Sequence, residues 1–153
     1  MSLVKKVLLP LLAVFILIQF IQPAHNKSTQ IMSTDITKIY NVPDNVQIAL
    51  KNACYDCHSN NTSYPWYSNM QPMAWLMANH IKNGKAELNF SEFGLYTTRR
   101  QKSKLKSIAS QINDGEMPLS SYMLMHKNAN LSKDEKALII NWAMKTKDSL
   151  SAK

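Results

Sequence analysis

Cys54-Tyr55-Asp56-Cys57-His58 is a C-x-x-C-H pentapeptide, and it holds the only two cysteines of the 153-residue chain. The spacing has a chemical reading. Two thiols separated by two residues can each add to a vinyl group of one haem, and the adjacent imidazole then supplies a nitrogen to the iron. Other readings of the pentapeptide are weighed against this one. A thioredoxin-like redox pair belongs in a βαβ setting, and no such pattern flanks the motif. A structural zinc site takes four protein ligands, so Cys54, Cys57 and His58 would need a distant fourth. A simple disulfide suits an exported protein. Haem attachment is the favoured reading, with zinc and disulfide as alternatives.

Working outward, composition bounds the fold. The length suits one domain. Glycine is rare, at three residues, and period-two alternation is scarce, so the expected class is all-α. The net charge is +8. A basic surface attracts acidic proteins, anionic lipid or nucleic acid, and charge alone does not choose among them. A nucleic-acid partner is not expected. No phosphate loop, internal repeat or Ser-His-Asp constellation is visible.

Residues 1–23 carry an export pattern: Lys5 and Lys6, then an unbroken apolar run from Val7 to Ile18. The run is short for a full span of about 20 residues, yet no good cleavage site follows, so an uncleaved N-terminal membrane helix is favoured over a cleaved signal peptide. Positive-inside orientation places the rest of the chain across the membrane, on the periplasmic side, where covalent haem attachment takes place. Residues 24–41 are polar and read as a linker that holds the domain off the bilayer. The domain itself is placed at 42–146, followed by a polar tail at 147–153.

Four helices are expected in that domain. The first covers 44–53, with Val46, Ala49, Leu50 and Ala53 at helical spacing, and delivers Cys54 at its end. The second covers 72–83, with Gly84 as its stop. The third covers 98–113, with Leu105, Ile108 and Ile112 as a core stripe. The last covers 133–146, opened by the capping box Ser132-Lys133-Asp134-Glu135, with Leu138, Ile139 and Trp142 turned inward.

Between the helices lie the other candidates. Tyr64-Pro65-Trp66-Tyr67 puts three aromatics beside the attachment motif, and Tyr64, Trp66 and Tyr67 are expected as walls against a flat porphyrin. Asp114-Gly115-Glu116-Met117-Pro118 presents a methionine on a stiffened turn, 59 residues after His58. A thioether there completes a His58/Met117 iron pair and raises the reduction potential. Met70, Met73, Met123, Met125 and His80 are rivals for that position. Tyr122 and His126 are read as propionate partners or as packing. Arg99, Arg100, Lys102, Lys104 and Lys106 oppose the helix dipole. They read either as a docking patch for an acidic redox partner or anionic lipid, or as a solvated face.

These features together resemble the single-haem cytochrome c fold. More narrowly, Cys54-Tyr-Asp-Cys-His-Ser-Asn, Tyr64-Pro-Trp-Tyr, Asn89-Phe-Ser-Glu and Gly115-Glu-Met-Pro resemble the small exported haem-binding domain family of bacteria, over residues 40–146. Phe93 stands where that family often has Trp. The resemblance implies a cytochrome-like helical domain with His58 proximal and Met117 distal. It carries no assigned reaction. The expectation is one covalently attached haem c and its iron, held by about four helices in an electron-transfer protein rather than an enzyme. A haem-based sensor with a displaceable sixth ligand and a peroxidase-like enzyme are the alternatives.

Overall fold

The computed structural model describes residues 2–28 and 30–151. Among them the chain is all-helical, with no strand. Eight α-helices are present: α1 Leu3–Ile18, α2 Ile36–Ile39, α3 Asp44–Ala53, α4 Tyr55–His58, α5 Met73–Glu87, α6 Thr98–Asn113, α7 Ser120–Met125 and α8 Lys133–Ser149. Short 3-10 turns cover Trp66–Asn69, Phe90–Leu95 and Lys127–Ala129.

The core forms where the apolar stripes of α3, α6 and α8 meet. Val46, Ala49, Leu50 and Ala53 of α3 are buried, as are Leu105, Ile108 and Ile112 of α6 and Ile139, Trp142 and Ala143 of α8. The turn at 90–95 closes this core with Phe90 and Phe93, both essentially inaccessible. Two long-range hydrogen bonds pin its edge: Trp142 Nε1 donates to Asn41 O at 3.1 Å, and Tyr40 Oη donates to Gln101 Oε1 at 2.6 Å. The capping box at α8 is formed, with Ser132 and Glu135 each accepting from the other's backbone N–H. Gly115 ends α6 in the left-handed conformation, φ 74°, which costs glycine little.

No described helix is long and apolar enough to cross a membrane, so the fold by itself does not show the expected membrane helix. Several other expectations need correction. The apolar run makes the 16-residue α1, which stops where Gln19 and Gln22 turn to bond residues 69–71. The stretch at 24–41 is not a free spacer. Asp35 and Ile36 are buried, and Asn26 donates through Nδ2 to Ser59 O and Thr62 Oγ1 at 2.8 and 2.9 Å. Helix α5 runs past Gly84 to Glu87. Leu138 is largely exposed, because Ile139 and Trp142 take the inward face. Helix α8 continues to Ser149, and Leu150 packs on the core where a loose tail was expected.

Candidate functional site

Helix α3 ends at Cys54, whose backbone (φ −128°, ψ −39°) breaks the helix. The single turn α4 then carries Tyr55 to His58. This break aims Cys54, Cys57 and His58 into one cleft. Tyr55 holds the turn from behind by stacking on Phe90, ring centroids 4.9 Å apart and 11° between planes.

Helix α5 lies directly against the turn. A Cβ on Gly84 would sit 2.7 Å from the Cys57 carbonyl oxygen and 3.2 Å from Cys57 Cβ. Only glycine permits that approach. The residue expected as a helix stop is therefore the contact point between α5 and the motif. Its carbonyl has a second use. His58 Nδ1 lies 2.9 Å from Gly84 O and 3.0 Å from Leu88 O. Both neighbours are acceptors, so Nδ1 carries the proton and donates. Nε2 of a neutral imidazole then keeps its lone pair free for a metal, which is how ligating histidines are usually held.

Two adjoining clefts open on this imidazole. One, of about 220 Å³, is lined by Cys54, Cys57, His58, His80, Met117 and Tyr122 among others. The second, of about 280 Å³, shares Cys54, His58, Met117 and Pro118 and extends to Ile108 and Ile112. Met117 thus lines both clefts together with His58. Its backbone N–H donates to Gln111 O at 3.1 Å, and its side chain is half-buried. His80 reaches only the first cleft. A polar hollow of about 440 Å³ bordered by Asp56 and Asn60 includes neither thiol.

The aromatics divide. Tyr67 lines a small side cleft of about 90 Å³ with Cys57, His80, Tyr122 and His126. Tyr64 and Trp66 line neither main cleft. Tyr64 turns to the N-terminal segment, stacking on His25 at 4.1 Å and accepting from Asn26 N at 2.6 Å. Trp66 is 75% exposed, so neither is placed as a porphyrin wall. Met70 also lies outside the clefts and Met123 packs on the core, while Met73 and Met125 reach only the side cleft.

One feature was not expected. Tyr122 Oη donates to Asp56 Oδ2 at 2.7 Å, and the Tyr122 ring stacks on His126 at 4.1 Å. His126 Nε2 meets Tyr67 Oη at 3.2 Å. Asp56, an unassigned residue of the C-x-x-C, thereby ties α4 to α7. Burial, then this bond to the Asp56 carboxylate, pushes the Tyr122 phenol above its ordinary value.

The thiols separate the readings of the motif. Burial, then the charge of Cys57, raises the Cys54 thiol from 9.0 to about 12. Burial, then the charge of Asp56, raises Cys57 from 9.0 to about 11. Redox-active C-x-x-C pairs need a lowered thiol pKa, which is the opposite. Among the described residues no three His, Cys, Asp or Glu side chains are grouped to hold a metal ion, so no further zinc ligand stands beside the motif. The two cysteines are free. The donor set that remains, two half-buried thiols held in their neutral form and an oriented imidazole beside a mostly apolar cleft, fits a haem.

Residues 13–145 match the family described as the haem-binding domain. The chain belongs to that family. It is a haem-binding protein, and haem is its cofactor. Comparisons with curated proteins and with solved structures gave no match.

Proposed function

We propose that this haem-binding domain is a c-type cytochrome, an electron carrier rather than an enzyme, with one haem joined to Cys54 and Cys57. The observation that carries the reading is the imidazole: His58 Nδ1 is committed to two backbone carbonyls, and its other nitrogen is left for iron in a cleft shared with both thiols and Met117. When bound, the haem supplies a one-electron couple whose potential depends on its axial ligands and surroundings. The protein's part is to orient and to exclude water. Gly84 O and Leu88 O fix the plane and tautomer of His58. Ile108, Ile112 and Pro118 dry the cleft. Met117, which lines both clefts, would supply its thioether to the iron as the second protein ligand.

In this reading α1 anchors the chain in the bacterial inner membrane, with the domain on the periplasmic side. Its redox partner is an acidic protein that meets the Arg99–Lys106 run. Support is uneven along that run: Lys104 pairs with Glu87 at 3.4 Å, Arg100 lies over the Tyr96 ring at 4.3 Å, and Arg99 and Lys106 are exposed.

The mode of ligation is tested by absorption spectroscopy of the haem-loaded protein. The oxidised form is expected to show the weak long-wavelength band of methionine-ligated haem, lost in Met117→Ala. The reduced form is expected to leave its Soret band unmoved by carbon monoxide. A wild-type protein that binds carbon monoxide would replace electron transfer with a sensor, a reading favoured by the loop position of Met117 beside His80. A peroxidase-like enzyme has less support, since His126 is engaged with Tyr67 outside the His58 clefts.

A further inference from the structure

The junction between α1 and the folded body is rigid. Gln71, buried at 2% exposure, donates through Nε2 to Ile21 O at 2.7 Å and through its backbone N–H to Gln19 Oε1 at 2.9 Å. Gln22 Nε2 donates to Asn69 O at 3.0 Å, and Trp75 Nε1 donates to Ile21 O at 3.1 Å. The residues that directly follow α1, Gln19 to Gln22, are therefore clamped to residues 69–75, and no free spacer separates the helix from the body.

The surface around that clamp is apolar and open. Phe20 is 81% exposed, Ile21 61%, Trp66 75% and Met70 46%, with Met73 and Trp75 also exposed. This exceeds the scattered apolar residues normal on a soluble surface. It is continuous with α1, none of whose residues is buried. Charge follows the same boundary. Residues 19–34 and 57–86, on the domain side of α1, contain no Asp or Glu, although they hold Lys27, Lys82 and Lys85; all ten acids lie in 35–56 and 87–153. Tryptophans in an apolar rim, with lysines and no carboxylates, suit the interface of an anionic bilayer.

Length gives a further reason. Helix α1 has 16 residues, about 24 Å of rise, whereas the hydrocarbon layer is about 30 Å thick. A short apolar segment is accommodated by thinning of the bilayer or by its flanking groups. Here the flanking groups are the rim of the domain itself.

We propose that the haem domain is seated on the membrane, with Trp66, Met70 and Trp75 at the headgroup–acyl boundary of an anionic bilayer, and is not suspended above it by a linker. The seating rests on the anchoring role of α1 given above. It holds the body at a set orientation, so redox partners approach from the sides of the domain turned away from the bilayer.

The test uses the full, haem-loaded chain in nanodiscs containing anionic lipid, with a nitroxide on Trp66→Cys, Met70→Cys or, as reference on the exposed face of α8, Asn141→Cys. Label position is read by mass spectrometry. Collision with oxygen relative to a water-soluble nickel chelate is expected to be several-fold higher at positions 66 and 70 than at 141. A water-like ratio at 66 and 70 in protein that is retained on the discs would overturn the seating while leaving the anchor intact. Shielding from both reagents would mean that protein covers the rim, and would also overturn it. Loss of protein from the discs would refute anchor and seating together.

Discussion

The two walls of the haem cleft are built differently. On the His58 side, three stretches of chain converge: α4 carries the imidazole, α5 supplies Gly84 O and Leu88 O, and Phe90 meets the imidazole ring edge-on at 6.3 Å. On the Met117 side, the residue sits half-buried on the turn after α6, with its backbone N–H bonded to Gln111 O. The first wall is part of the fold. The second is an addition to it. Substitutions on the His58 side should therefore damage structure and loading together, while those on the Met117 side should alter ligation and spare the chain.

The largest effect is expected from His58→Ala. It removes the axial donor and leaves Leu88 O without its partner. Haem loading should fall about a hundredfold or more, beyond the range seen when only the outer partners of a metal ligand are lost. Quantitation of haem per protein checks this, and near-normal loading would break the assignment of the first wall.

Next come the thiols on the same wall. Their raised values, about 12 for Cys54 and about 11 for Cys57, mean that the protonated forms are favoured in the fold. Stability from this source is present below the ordinary thiol range and is lost as pH rises from 9 through 11 to 12. Before haem is attached, alkylation at pH 9 should run roughly a hundredfold slower than for a free thiol, because only the thiolate reacts. The rate profile should have its midpoint near 11. A midpoint at or below 9 would show exposed, reactive thiols.

Gly84→Ala sharpens the comparison from the α5 side. The added carbon meets the Cys57 backbone at 2.7 Å, and backbone yields poorly, so overpacking of about 1–3 kcal/mol is expected in denaturant melts. A change under about 0.5 kcal/mol would mean that α5 is not pressed on the motif. Met117→Ala should cost the haem-free chain about 1 kcal/mol or less, since its side chain is only half-buried, while opening the iron of the loaded protein to carbon monoxide. A larger loss of chain stability would place Met117 in the core and erase the difference between the walls.

Much of this arrangement is legible in the sequence where the signal is local. The spans 44–53 and 98–113, the capping box at Ser132 and the Gly115 turn all come from short-range rules, and the structure has them in place. That Met117 and His58 line one cleft also accords with the motif and the Met-Pro turn. What is not legible depends on contacts between distant residues. Gly84 reads as a helix end because glycine often ends helices; nothing local reveals that Cys57 presses on it. The carbonyls that hold His58 lie 26 and 30 residues away. Residues 24–41 look like a spacer because they are polar, but Asn26 and Asp35 satisfy buried partners instead of water. Trp66 looks like a porphyrin wall from its place beside the motif, yet the turn at 66–69 points it outward.

In the proposed cytochrome, both walls enclose a haem bound to the chain through sulfur. This attachment is tested by mass spectrometry of the proteolytic peptide spanning Cys54 to Cys57, taken from haem-loaded protein after extraction with acidified acetone. The expected result is a peptide carrying the mass of one haem, with both thiols blocked. Haem recovered wholly in the solvent, with Cys54 and Cys57 free on the peptide, would contradict it.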